Sequence, residues 1–177
     1  NGTVEYFNRE SDNLLLDVPL SLTTGFREVT RNFGAMRNSG VELTLNASII
    51  NTEDFTFAMG GNITFLRNEI TRLDEPFTDG THDRFLRQEG RDFNEYHVFG
   101  WAGVNPDDGS PLFYTDASET TTTSNINDIE RYYIDKSGTP DFFGGLTTNF
   151  SYKGFSVDAQ FTYSWNNYLY DATAWVL

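Results

Sequence analysis

Three kinds of side chain in this sequence have chemistry to offer: carboxylates, imidazoles and clustered aromatics. There are 26 Asp and Glu, only His82 and His97 to supply imidazole, and no cysteine. Without thiols there can be no disulfide, thiolate zinc site or cysteine nucleophile. The two histidines lack a spacing that would converge them, so they read as solvated side chains without a role. A glycosidase needs two carboxylates at a fixed separation, and nothing singles out a pair among the 26. Asp107-Asp108-Gly109 hints at calcium, but Val104 stands where the first ligand of an EF-hand loop belongs, which leaves only other acidic loop geometries open. No enzyme, cofactor or resident metal is expected. What remains is non-covalent recognition. Phe99, Trp101, Phe113 and Tyr114 flank the acidic turn that carries Asp107 and Asp108. Exposed rings beside carboxylates stack on sugars or hold a partner protein; the alternative is that they pack the loop onto itself.

The chain has 177 residues and a net charge of −14, which argues against a surface that neutralises phosphates, so nucleic acid is not expected as a partner. The acidity is concentrated: residues 73–141 carry 15 acids against 5 Lys and Arg, leaving −4 for the rest. No stretch approaches the ~20 consecutive apolar residues that a membrane-spanning helix needs. The opening Asn1-Gly2-Thr3 is neither an initiator methionine nor a signal peptide, and the chain reads as excised from a longer one.

The elements that must position these residues are strands. From Gly40 to Asn51, Val41, Leu43, Leu45, Ala47 and Ile49 alternate with Glu42, Thr44, Asn46 and Ser48. A second strand follows the turn at 51–53, and pairing Ile49 with Phe55 places Val41 opposite Ile63 on one face, with Phe57 beside them. Near the end, Phe142, Leu146, Phe150 and Tyr152 precede the Lys153-Gly154 turn, after which Phe155, Val157, Ala159, Phe161, Tyr163 and Trp165 share a face. That hairpin predicts Tyr152 opposite Phe155, Phe150 opposite Val157, Leu146 opposite Phe161 and Phe142 opposite Trp165. The expected strands are 3–14, 40–50, 54–71, 142–152 and 155–168, with long loops at 15–38 and 73–141.

Short turns on one rim and long loops on the other describe a membrane β-barrel wall. The ten steps from Phe155 to Trp165, at ~3.3 Å rise and a tilt near 45°, span roughly 23 Å, close to an outer-membrane apolar band. In that reading Val41, Leu43, Leu45, Phe57, Ile63, Leu146, Phe150, Val157 and Phe161 face lipid, and Tyr152, Phe155, Tyr163 and Trp165 lie at the interfaces. Arg67 and Arg72 then fall at the outer rim, and Gly60-Gly61 and Gly144-Gly145 mark either another backbone's approach or a bend in the wall. Glu119 to Asn127, rich in Thr, reads as an exposed flexible segment. The competing reading is a soluble β-sandwich, such as a carbohydrate-binding module, whose second sheet would cover the same apolar face.

Several stretches weigh on this choice. Asn38-Ser39-Gly40-Val41-Glu42-Leu43-Thr44-Leu45-Asn46-Ala47, followed by Gly61-Asn62-Ile63-Thr64-Phe65 and Asn68-Glu69-Ile70-Thr71, resembles the repeated barrel hairpin of SusC/RagA-type TonB-dependent receptors. Gly100 to Tyr114 is similar to that family's "AGVNPxTGxPxY" word, although Asp107-Asp108 departs from its usual Thr. Gly138-Thr139-Pro140-Asp141-Phe142-Phe143-Gly144-Gly145-Leu146, with Tyr152-Lys153-Gly154-Phe155 after it, resembles a third. The resemblance implies an all-β fold: about five antiparallel strands of a 22-stranded, plugged transmembrane β-barrel in the bacterial outer membrane, with no plug domain in residues 1–177. It also implies nutrient import of oligosaccharide or peptide, a SusD-like surface lipoprotein as lid, and a TonB complex engaged through parts outside this chain.

Overall fold

The computed structural model describes residues 1–26, 28–78 and 84–171. Its principal feature is one antiparallel five-stranded sheet ordered β1 (Gly2–Pro19), β2 (Glu28–Asn51), β3 (Phe55–Leu73), β11 (Phe142–Tyr152), β12 (Phe155–Trp165). Between β3 and β11 the chain folds into short pieces: β4 (Phe77–Thr78), β5 (Leu86–Arg87), β6 (Glu95–Val98), β7 (Trp101–Val104), β8 (Pro111–Tyr114), β9 (Thr122–Thr123) and β10 (Tyr132–Ser137). These pair as β4 with β5, β6 with β10, and β7-β8-β9.

The β11–β12 register is the one the alternation predicts, from Tyr152 opposite Phe155 to Phe142 opposite Trp165. A two-residue turn closes it, with Lys153 and Gly154 both at positive φ (48° and 89°), as a right-twisted hairpin requires. The β2–β3 register differs from expectation by two residues: Val41 lies opposite Phe65, Leu43 opposite Ile63 and Ala47 opposite Met59. The turn sits at 52–54, where the Thr52 hydroxyl donates to the Phe55 carbonyl at 2.9 Å and accepts from the Phe55 N–H at 3.1 Å. A bulge between Ser48 and Ile50 absorbs the extra residue. A shift of two preserves the faces, so the apolar set still lies together.

The expected loop at 15–38 is mostly strand. β1 runs to Pro19 and β2 starts at Glu28, paired from Leu14 opposite Gly34 to Pro19 opposite Glu28. Two register breaks, after Ser11 and after Leu14, disrupt the period of two and hide this ladder from sequence pattern. β12 ends at Trp165 rather than 168; Asn166 takes a left-handed φ of 59°, and the Tyr168 N–H donates to the Ser137 carbonyl at 2.8 Å.

Along the sheet, one face carries Val4, Leu43, Leu45, Leu146, Val157 and Phe161 in cross-strand rows with Tyr6, Val41, Ile63, Phe65 and Phe57. No second sheet covers it among the described residues: Leu45 is 64% exposed and Phe161 58%. The second sheet that the sandwich reading requires is not found among the described residues. Beyond Val41 and Phe65 the same face turns charged, with Arg37 donating to Glu69 at 3.1 Å and Arg67 at 3.6 Å from the same carboxylate oxygen. The apolar stretch therefore has two edges, the rings at Phe55, Tyr152 and Phe155 and the rings at Tyr6, Phe65, Phe142 and Trp165. The opposite face is polar, with Thr44, Asn46, Asn62, Thr147, Asn149 and Gln160.

The buried apolar cluster sits past this stretch, where Val18, Ile70, Leu73 and Phe77 pack with Phe93. It fastens the long connection to the strand extensions. Main-chain bonds from Ile70 to Arg91 (2.9 Å) and Gly90 to Ile70 (2.8 Å) continue β3 into it, and the Asn68 side chain accepts the Phe93 N–H at 2.8 Å.

Candidate functional site

The unit β7-β8-β9 holds most of the residues singled out for recognition. Trp101 lies opposite Phe113, their rings edge to face with centroids 5.5 Å apart. Val104 lies opposite Pro111, and Phe113 opposite Thr123. Because Pro111 and Phe113 share a side of β8, and a register break separates Trp101 from Gly103, Trp101 and Val104 fall on that one face too. Each is 58% exposed. Val104 and Pro111 are the residues sequence reasoning missed: a spacing of three puts Trp101 and Val104 on opposite sides of a regular strand, and only the bulge joins them.

The other expected members go elsewhere. Tyr114 alternates to the opposite face of β8, and its N–H donates to the Gly100 carbonyl at 2.9 Å. Phe99 lies beneath the Arg131 guanidinium, 4.8 Å away. Asp107 and Asp108 are exposed at the tip joining β7 to β8. There the Asn105 side chain accepts the Asp107 N–H at 3.1 Å, while one Asp108 oxygen accepts both the Ser110 N–H (2.9 Å) and hydroxyl (2.7 Å). Those bonds hold the Asp108 carboxyl below its ordinary pKa, and bonds from Ser118 and Thr115 do the same for Asp116. Both are thus firmly anionic, and each is a turn-forming group. Among the described residues no three His, Asp or Glu gather as a metal site. The segment 119–127, expected to be flexible, carries β9 and a 3-10 turn at Ile126–Asp128, and is exposed except for Thr123.

His97 packs its ring against Tyr133, centroids 5.0 Å apart, and burial followed by the Arg131 charge lowers its pKa. His82 lies outside the described residues.

The unit meets the β6–β10 pair at a tight junction. Tyr132 is buried, its phenol donates to Glu119 at 2.9 Å, and it fills the space where a side chain at Gly100 would be. Burial first, then the Glu119 bond and charge, push the phenol up to about 12. With the folded pKa above the unfolded value of about 10, the contribution of the neutral phenol is complete below pH ~10 and is lost as pH climbs through ~12. We therefore expect the tyrosinate absorbance difference between wild type and Tyr132→Phe to titrate near 12; a step near 10 would contradict the junction.

Comparison with known proteins agrees with this geometry. No family model matches the chain. It is 30% identical over 184 residues to the TonB-dependent receptor SusC of Bacteroides thetaiotaomicron, covering 96% of this chain and 18% of that protein. It is 26% identical to the TonB-dependent receptor P39 of Formosa agariphila, covering 96% and 20%. Among solved structures it superposes on the RagAB peptide transporter with a TM-score of 0.81 and 30% identity, over 92% of this chain and 19% of that one. The fold and these matches define the class, a wall segment of a TonB-dependent receptor β-barrel. The chain belongs to the SusC/RagA family and spans about a fifth of the length of the relatives it matches.

Proposed function

We propose that the protein to which this segment belongs is an outer-membrane importer of oligosaccharide or peptide, the SusC-like component of a pair with a SusD-like lipoprotein lid, energised through TonB. The observation that carries the reading is the open apolar face of the five-stranded sheet, edged by aromatic rows, in a chain that follows a RagAB structure over 92% of its length. In this reading residues 1–177 are part of one barrel domain. Val41, Leu43, Leu45, Phe57, Ile63, Leu146, Phe150, Val157 and Phe161 contact lipid, and Tyr152, Phe155, Tyr163 and Trp165 mark the interfaces. The polar face lines the lumen and the 73–141 connection lies outside the cell. The role of the segment is structural and recognitive, with no covalent step.

Fractionating cells that express the full-length protein tests this directly. Recovery in the detergent-extracted outer membrane together with a lipoprotein is the expected result. A monodisperse, detergent-free protein without such a partner would overturn it.

A further inference from the structure

The charges of the 73–141 connection are unevenly placed: nine of its fifteen acids share residues 73–100 and 131–141 with its cations, where Arg91 pairs with Glu95 at 3.1 Å. All five of its cations lie over aromatic rings: Arg84 over Tyr170 (4.0 Å), Arg87 over Phe93 (3.9 Å), Arg91 over Tyr133 (4.2 Å), Arg131 over Phe99 (4.8 Å) and Lys136 over Tyr168 (4.7 Å). Such stacking ties positive charge into the packing that holds the connection together. Every one of these cations lies outside residues 101–130, which carry six acids and no Lys or Arg. The unit β7-β8-β9 therefore presents an apolar face, Trp101 with Val104, Pro111 and Phe113, on a segment of net negative charge.

The geometry points to a positively charged oligopeptide with apolar side chains as the occupant of this face. This deepens the import reading above and rests on it. Charge complementarity favours a cation on that segment, and the exposed Trp101 and Val104 offer apolar contact. A glycan fits less well for two reasons. Trp101 and Phe113 meet at 79°, so the rings make a corner rather than a flat platform for a sugar. One Asp108 oxygen is taken by Ser110, and the two of Asp116 by Ser118 and Thr115, so these carboxylates are bound first to their own turns.

The test uses the full-length receptor with its lipoprotein in detergent. Three fluorescent probes are compared: an octapeptide of Lys and Val, the same peptide with Glu for Lys, and maltoheptaose, each at about 20 mM and about 500 mM salt. We expect the basic peptide to bind at least tenfold tighter than the acidic one at low salt, with most of that margin gone at high salt. Trp101→Ala and Val104→Ser should each weaken it about fivefold or more at both salts. Asp107→Asn/Asp108→Asn/Asp128→Asn keeps side-chain acceptors while halving the charge, and should weaken it only at low salt. Equal binding of the two peptides, indifference to both apolar-face variants, or maltoheptaose binding that Trp101→Ala abolishes would each overturn the inference. Co-isolation of the lipoprotein, scored on the same preparation, shows separately whether the import reading stands.

Discussion

Phe161→Arg is expected to impair assembly of the full-length receptor severely, whereas Gln160→Arg, one residue away, is expected to be tolerated. The two positions differ in face alone. Phe161 lies opposite Leu146 on the apolar face, 58% exposed and near the middle of the stretch between Phe155 and Trp165. Gln160 lies opposite Thr147 on the polar face. In a barrel wall an arginine near the bilayer midplane costs about 2–4 kcal/mol, and a cation facing the wet lumen costs little. Marginal stabilities of ~5–15 kcal/mol make the first a large fraction of the whole. The measurement is the urea midpoint of receptor refolded into lipid vesicles, with outer-membrane yield as a second readout. Equal losses for the two variants would mean that neither face meets lipid, and the orientation argued for the wall would fall.

How far the sequence foretells this structure depends on where the chain keeps an unbroken period. Between Phe142 and Trp165 no residue is inserted, and every predicted cross-strand pair is found. Around Ile49 one extra residue and a threonine-closed turn move the register by two, leaving the faces right and the partners wrong. From Asp12 to Gly34 two breaks conceal a continuous ladder, because alternation restarts out of phase after each. The 73–141 connection is opaque for another reason. Its strands are two to six residues long, too short for periodicity to register, and its order comes from cations on rings and from Ile70, Arg91 and Asn68 meeting across the chain. Trp101 and Phe113 can be named from type and proximity to the acidic turn. Val104 cannot, since its place beside them depends on a bulge.

Glycines in the wall show what sequence type conveys once partners are known, and they support the second large prediction. Gly144 lies opposite Tyr163, which leans over it and donates its hydroxyl to the Asn62 carbonyl of the next strand at 3.0 Å. The Gly145 N–H donates to the Asn62 side chain at 2.8 Å, so the β3–β11 seam is stitched at this level by side chains. The device recurs on the other face, where the Phe7 ring lies against Gly40 opposite it. A ring over a glycine covers backbone that would otherwise be bare and fixes which residues may pair. A methyl at Gly144 would overlap the Asn62 main-chain carbonyl and crowd the Tyr163 hydroxyl, and backbone cannot step aside as a flexible side chain can. Gly144→Ala should therefore cost about 1–3 kcal/mol, and Tyr163→Phe about 1 kcal/mol for the lost bond. Because both remove the same hydroxyl contact, the double variant should cost less than their sum. Gly145→Ala is the control. Its methyl would meet the Asn62 side-chain oxygen at 3.3 Å and the Phe161 carbonyl at 3.4 Å, contacts that small shifts relieve. Urea midpoints of the four variants in lipid vesicles decide the matter: if Gly144→Ala is no worse than Gly145→Ala, the seam is not held by this close approach and the register must be fixed by the hairpin turns alone.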